Sequence, residues 1–495
     1  MIFDSHQSDR FLYVLFLLLL LFAPLPFGSN ITAASSILIV WGCLLSVYWL
    51  LQWSRGKVVT TVVFVRARPV YFLSLLWLLW LIIQILPLPF AWVEILSPKA
   101  AQIQNDAGLI LDGMRPDSAT LSLDVWATQS SIFLTLLYLL VFMLAVLLVN
   151  TRARLKLLLW TLVLSGLLQS LYGIVMTLSG VEQIFFYEKI SGRGLVTGTY
   201  INRNHLAGYL VMTLSLGIGL MLGLLDDRRR TGWRNVLRSW IAVLLGGRFI
   251  LRFFLVIMVI GLVMTHSRMG NASFFIAMLV SAIVALFIMR RARRGMLTLI
   301  VSLIVIDIVI IGAWFGLDKV VDRLQDTIVV HPEGEAETIP QPAFIREGQI
   351  EINDEGRRKL HRDIRPYWKD YWLTGSGLGS FRHVFPAYKD EGLPRYYEHA
   401  HQDYYEFAVE AGLPGILMLL VLFCYPFAVA LSAMRKRKDK LMQGLSFGVV
   451  MSIMALVMHS TVDFNLQIPA NALTFTVVLA LAFIAAYMPT SGRQA

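Results

Sequence analysis

From about residue 11 onward, runs of roughly twenty apolar residues alternate with polar connections. Runs of that length suit helices crossing a hydrocarbon core of about 30 Å; a membrane β-barrel would instead show short strands of alternating polarity. Hydropathy predicts about twelve spans, near residues 11–27, 31–53, 70–90, 128–149, 155–178, 205–225, 247–265, 270–289, 296–316, 413–433, 443–461 and 469–488. The first run has the look of a signal peptide, but Pro24 and Pro26 precede no A-x-A cleavage site and a second span follows closely, so it reads as a retained helix.

The connections after even-numbered spans hold the basic residues. They carry Arg55, Lys57, Arg66 and Arg68; Arg152, Arg154 and Lys156; Arg228, Arg229, Arg230, Arg234 and Arg238; Arg290, Arg291, Arg293 and Arg294; and Arg435, Lys436, Arg437, Lys438 and Lys440. By the positive-inside rule these face the cytoplasm, as do both termini. The other connections face outward, including a polar insertion over 317–411, too long for a connector and therefore expected to be functional. The expected organisation is spans one to nine over 1–316, the outward insertion over 317–411, and spans ten to twelve with a short cytoplasmic tail over 412–495.

Composition agrees with an all-α polytopic membrane protein: 57% of residues are hydrophobic and 15% charged, with a mean hydropathy of +0.67, far from the balance of a soluble domain. The net charge of +11 lies in blocks between spans and not on one face, so it reads as topology and not as a nucleic-acid surface. Cys43 and Cys424 both sit inside apolar runs, which argues against a disulfide framework.

Within the insertion, residues 318–341 are acidic and proline-containing, which suits an irregular excursion. EGRRKLHRDIRPYWKDYW, Glu355–Trp372, has a helical pattern in which Pro366 must start, kink or end a helix, and Trp368, Tyr371 and Trp372 are candidates for the membrane interface. GSGLGSF, Gly375–Phe381, lacks the parallel βαβ context of a dinucleotide fingerprint; it is either a phosphate-cradling turn or a tight turn packed under a helix.

The insertion closes on EHAHQDYYEFAVEAGLPG. Tyr404, Phe407, Ala408 and Ala411 follow an i, i+3, i+4, i+7 spacing, so a short amphipathic helix is expected, ended by Gly412, Pro414 and Gly415. His401 then lies near a helix start at the outer membrane face, where the positive helix terminus lowers its pKa and favours the neutral imidazole that a general base needs. The alternative is that His399 and His401 only cap the helix or meet lipid headgroups. His399, His401, Asp403 and Glu406 could also offer metal ligands, but i, i+2 side chains diverge at a helix start, and no metal site is expected.

HAHQDYYEFAVEAGLPG resembles the histidine signature of the O-antigen ligase and polymerase superfamily, H-N-x-x-L with an acidic residue and G-L-P-G downstream. Three further stretches agree in order and spacing. GRGLVTGTYINRNHLAGYL, Gly192–Leu210, is similar to the family's R-x-x-G-T-F-x-N-P-N-x-x-A-G segment; THSRMG, Thr265–Gly270, to its outward S-R turn; and HSTVDFNLQIPAN, His459–Asn471, to its closing segment. The likeness covers roughly 128–488, with Gln402 where asparagine is common and Arg203 where proline is common.

The resemblance implies a GT-C type helical fold and glycosyl transfer at the periplasmic face of a Gram-negative inner membrane. The donor would be a glycan on undecaprenyl diphosphate, and the acceptor a sugar hydroxyl of lipid A core or, in a polymerase, of a second lipid-linked repeat. The family's two outward arginines and its histidine carry over onto Arg193, Arg268 and His401. Arginine forks would bind the diphosphate and stabilise it as leaving group, and His401 would accept the acceptor proton during an in-line, inverting attack. A metal-using transferase would want a D-x-D pair in its first outward loop, where 91–126 holds only scattered Asp106, Asp112, Asp117 and Asp124, so a metal-independent and cofactor-free reaction is expected.

Supporting roles stay open on sequence grounds. Asn202, Arg203 and Asn204 either shape the site or cap a helix; Glu410 orients His401 or faces water; His459 and Asp463 complete the cavity or bridge two helices. Asp307, inside span nine, is either functional or hydrogen-bonded to a neighbouring helix. A protein-directed oligosaccharyltransferase is a weaker version of the same chemistry. A transporter or flippase would show internal repeats, broken helices and polar groups at the bilayer midplane, whereas here the polar groups gather outside.

Overall fold

The computed structural model describes residues 9–189, 192–224, 247–288, 354–390 and 397–489. The expected ninth span with Asp307, and the first part of the insertion, lie outside the described residues. In chain order the helices are α1 Arg10–Phe22, α2 Thr32–Ser54, α3 Val62–Arg66, α4 Arg68–Ile85, α5 Phe90–Leu96, α6 Pro98–Leu111, α7 Val125–Leu148 and α8 Arg152–Ser179. They continue with α9 Arg203–Gly223, α10 Gly247–Met264, α11 Arg268–Ile288, α12 Asp354–Tyr371, α13 Phe381–Val384, α14 Asp403–Lys436, α15 Lys440–His459 and α16 Pro469–Tyr487. Among the described residues, α2, α4, α7, α8, α9, α11, α14, α15 and α16 are long and apolar enough to cross a membrane, and α1 and α10 are shorter apolar helices. The fold is all-α and polytopic.

α1 stops at Phe22, short of its expected end, because Pro24 and Pro26 cannot continue the hydrogen-bond ladder. The chain turns there instead, and the Ser29 hydroxyl donates to the Ala23 carbonyl at 2.6 Å. α9 is the central post of the bundle, with 94% of its apolar window buried. It crosses α15 at very close range: a Cβ on Gly219 would lie 2.5 Å from the Gly444 carbonyl oxygen and 2.9 Å from the Gly448 Cα. Lipid supplies no hydrophobic drive between helices, so small residues that let backbones touch hold such a crossing together. Gly448→Leu should therefore force α9 and α15 apart and destabilise the bundle by about 1–3 kcal/mol, seen as a lowered unfolding temperature in detergent. Leu50→Ala, at a residue 53% exposed, should leave that temperature unchanged.

Buried charge ties the chain at one end of the bundle. Arg154 donates to the Asp9 carboxylate at 2.9 Å and to the Leu148 carbonyl at 3.0 Å, and Arg152 pairs with Asp439, the N-cap of α15.

At the other end the structure adds what periodicity missed. Residues 91–126 are not an open loop: α5 and α6 form a helical hairpin closed by β1, Leu88–Pro89, paired antiparallel with β2, Ser118–Ala119. Ala100 and Ala101 of α6 pack with Leu360, Tyr367 and Phe381, so the hairpin and the insertion share a second core outside the spans. A further pair, β3 Gln183–Ile184 with β4 Tyr187–Glu188, lies between α8 and α9.

Candidate functional site

α12 turns Leu360, Ile364, Tyr367 and Tyr371 into that second core and runs through Pro366. Tyr371 is therefore buried, against the interfacial placement expected of it, while Trp368 and Trp372 are exposed. The Trp372 carbonyl accepts from the Leu413 amide at 2.8 Å, which fixes the end of α12 beside the start of the spanning part of α14.

GSGLGSF is a tight turn packed against α14. Gly375, Gly377 and Gly379 all have positive φ, and a side chain at Gly375 would collide with the Glu410 backbone. The turn's amides are spent on protein acceptors: Ser376 donates to the Val409 carbonyl at 2.9 Å, Gly377 to the Glu410 carbonyl at 3.0 Å, and Phe381 to the Glu410 carboxylate at 2.8 Å. Glu410 thus neither orients His401 nor faces water. It is fully buried and anchors the turn.

The first part of α14, before the break at Gly412 (φ 64°), buries Ala411 as expected but also turns its carboxylates inward. Asp403, Glu406, Val409 and Glu410 point inward, while Tyr404, Phe407 and Ala408 are only partly covered. Apolar spacing did not anticipate this because each buried carboxylate accepts hydrogen bonds, which offset part of the cost of burial. Asp403 accepts from the Ser460 hydroxyl at 2.6 Å and the Leu466 amide at 3.2 Å. Glu406 accepts from the Ala400 amide at 2.8 Å and meets His399 Nδ1 at 2.6 Å. With both carboxylates so engaged, they are not free ligands, and among the described residues no three His, Cys, Asp or Glu side chains converge as a metal site would require.

These bonds hold His401 in an unusual place. Its φ is 49°, a left-handed conformation uncommon for any residue other than glycine, and it is 1% exposed. Its ring packs edge-on to Phe464 at 4.8 Å, yet neither ring nitrogen has a hydrogen-bond partner among the described residues. The Asp403 amide, two residues on, donates to the Asp463 carbonyl at 3.1 Å and brings the α15–α16 turn against the histidine. Asp463 lies 3.5 Å from His205 Nε2 and 3.9 Å from His459 Nε2, with one carboxylate oxygen accepting from the Phe464 amide at 2.8 Å. Arg357 donates to the neighbouring Val462 carbonyl at 3.3 Å. Among the described residues, both His401 nitrogens, His459 Nδ1 and Asp463 Oδ2 have no hydrogen-bond partner, and neither has Gln467 Nε2 further along the same turn. Buried unpaired atoms are uncommon in a folded protein and mark the spot as a candidate site.

The two histidines differ electrostatically. Burial pushes His401 down to about 3; the Asp463 carboxylate opposes this, while Arg357, His399 and His205 add to it. The expected direction holds, with desolvation and not the helix terminus as its main cause. For His399 burial also lowers the value, but the Glu406, Glu398 and Glu410 carboxylates outweigh it and raise the group above the ordinary histidine range. Nitrogen NMR should therefore show His401 neutral at pH 7 and His399 keeping its proton to a higher pH than His401 does. The linked stabilities have opposite signs: the His399 contribution is lost as pH rises through its raised value, and His401 destabilises the fold as pH falls below the ordinary histidine value of about 6.5.

Arg193, Arg268, Arg203 and Asn204 lie at the same end of the bundle. Asn202 caps α9, its side chain accepting from the Asn204 amide at 2.8 Å, and Asn204 is buried in that first turn. Arg203, partly buried, is the first residue of α9. Arg193 is exposed, pairs with Glu188 and donates from Nε to the Lys189 carbonyl at 3.1 Å. Arg268 is exposed at the first turn of α11. The two arginine loops meet through the Val196 amide, which donates to the Met264 carbonyl at 3.1 Å. Gly270, in the first turn of α11, packs on Ala207, two residues from His205.

The structure thus gathers His399, His401, His459 and Asp463 in one cluster, with the arginine loops on its flank. His205 and Arg357 were missed on sequence. A histidine one turn into an otherwise apolar helix was a signal available in NRNHLAGYL, whereas Arg357 is one of many cations in its helix and gave none.

An apolar cavity of about 180 Å³ opens between α4, α7, α14 and α16, lined by Trp77, Tyr138, Phe142, Phe423 and Phe475 and reaching Leu466 and Gln467. Leu466 is the residue whose amide binds Asp403, so the cavity ends beside the histidine cluster.

Residues 253–420 match the family model described as O-antigen ligase. That segment contains Arg268 and His401; Arg193, His205, His459 and Asp463 fall outside it. No curated protein matches the chain.

Proposed function

We infer that this chain, whose residues 253–420 match the O-antigen ligase family model, acts in surface polysaccharide assembly and transfers a glycan from undecaprenyl diphosphate to an acceptor sugar hydroxyl at the periplasmic face of the inner membrane. The observation that carries the reading is His401: a buried imidazole whose nitrogens have no hydrogen-bond partner among the described residues, held in a left-handed conformation, with burial favouring its neutral form. Such strain persists only where surrounding structure over-determines it, and it clusters at sites of chemistry.

In this mechanism the acceptor oxygen attacks the anomeric carbon opposite the diphosphate. The new C–O bond forms as the bond to the phosphate oxygen breaks, and that oxygen keeps the electron pair. The acceptor proton passes to His401, and the anomeric configuration inverts. Arg193 and Arg268 receive the diphosphate through bidentate forks, with Arg193 exchanging Glu188 for phosphate oxygens. Burial makes His401 a weak base in the empty site; the negative charge of a bound diphosphate in the same low-dielectric cavity raises its proton affinity when the donor is present. The aromatic-lined cavity suits an isoprenoid chain entering from the bilayer.

The test supplies purified protein with undecaprenyl-diphosphate-linked repeat units, with and without lipid A core, in EDTA. Glycan appearing on core alone supports ligation, and ladders of lipid-linked glycan without core support polymerisation. Absence of both products overturns the reading.

A further inference from the structure

The exposed side of α12 carries charge that the mechanism above does not use. Arg358, Arg362, Arg365 and Lys369 are all exposed and follow an i, i+4, i+7, i+11 spacing, which places them in one stripe of about 16 Å along the helix. The opposite face, Leu360, Asp363, Ile364, Tyr367 and Tyr371, is buried, so the helix cannot roll to hide the stripe. Trp368 and Trp372, 47% and 46% exposed, flank its far end with apolar ring faces. The near end begins at Arg357, whose guanidinium contacts the Val462 carbonyl beside Asp463.

We propose that this stripe is a docking track for an acidic glycan, one bearing carboxylate or phosphate groups, leading away from the histidine cluster. Among the described residues, acidic side chains near the track engage only part of it. Arg362 is shared between Asp363 at 3.4 Å and Asp390 at 3.2 Å, while Asp370 accepts from the Tyr388 hydroxyl at 2.6 Å. Charge complementarity therefore selects a polyanion, and the track's origin at the histidine cluster selects a glycan over lipid headgroups. Arginine forks engage carboxylates bidentately, and the tryptophan faces supply the apolar contact a sugar ring also needs. The proposal rests on the glycosyl-transfer reading for its choice of glycan.

Binding tests it without turnover, so its failure is separable from loss of transfer by a His401 variant. Full-length protein in phosphatidylcholine nanodiscs would be titrated with fluorescent oligogalacturonate and with a neutral maltooligosaccharide of equal length. The acidic probe should bind, and more weakly as salt rises. The combined Arg358→Gln, Arg362→Gln, Arg365→Gln, Lys369→Gln variant should bind it at least about tenfold more weakly, leaving the neutral probe unchanged. Should that variant unfold, Arg358→Lys, Arg362→Lys, Arg365→Lys keeps the charge and should retain salt-sensitive binding. Equal binding of the acidic probe by wild type and the Gln variant overturns the proposal. So does a variant whose only loss is adhesion to phosphatidylglycerol vesicles.

Discussion

His401→Ala should lower transfer by about 10²–10⁴-fold, the range expected when a positioned general base is removed, while the protein still folds. The fold should tolerate the change because His401 contributes ring contacts to Phe464 and Tyr397 but no side-chain hydrogen bond among the described residues. Histidine tolerates the left-handed region better than alanine, so part of any stability loss would be backbone strain at a φ of 49°. His401→Asn separates the effects, since asparagine accepts the left-handed region more readily. The account expects it to fold like wild type and transfer as poorly as alanine. Binding of the lipid-linked donor should persist in both, placing the loss in turnover and not in donor affinity.

Asp463→Asn should be the most damaging single change to the cluster as a structure. Burial opposes charge on this carboxylate, but His205, His459 and Arg357 outweigh it and hold the group well below the usual carboxylate range. Asparagine can still accept from the Phe464 amide, as the carboxylate does at 2.8 Å, but it removes the one negative charge lying 3.5 Å from His205 and 3.9 Å from His459. Breaking a buried charge arrangement from one side typically costs about 3–5 kcal/mol, and a change of that size is expected in thermal unfolding at neutral pH. The sign with pH follows from the depressed value. The stabilisation is fully present above the ordinary carboxylate pKa and is lost as pH falls through the acid range, so the gap between wild type and variant should narrow below about pH 4.

The spans were legible because hydropathy needs only local composition, and the bilayer forbids unsatisfied backbone. The ends were less so: α1 stops early at prolines, and α5 and α6 escaped notice because their apolar residues are divided between the second core and the surface. The histidine segment shows the sharper limit. Spacing marked Tyr404, Phe407, Ala408 and Ala411 as the apolar face; Ala411 is buried, but Asp403, Glu406 and Glu410 also took buried positions because Ser460, Leu466, Ala400, His399 and Phe381 were waiting for them. Those partners come from the insertion and from the α15–α16 connection, and no single-segment pattern can announce them. His401 was legible from its motif, its unusual backbone was not, and His205 became visible only once α9 met the α15–α16 turn.

The central claim is that a glycosidic bond is made here at the expense of a lipid-diphosphate bond. The measurement that tests it most directly follows one preparation of purified protein, donor and hydroxyl acceptor by mass spectrometry. The account predicts free undecaprenyl diphosphate and newly glycosylated acceptor in equal amounts, both absent with His401→Ala. Donor that changes leaflet with its sugar–phosphate bond intact, equally in wild type and variant, would contradict it and make the chain a transporter.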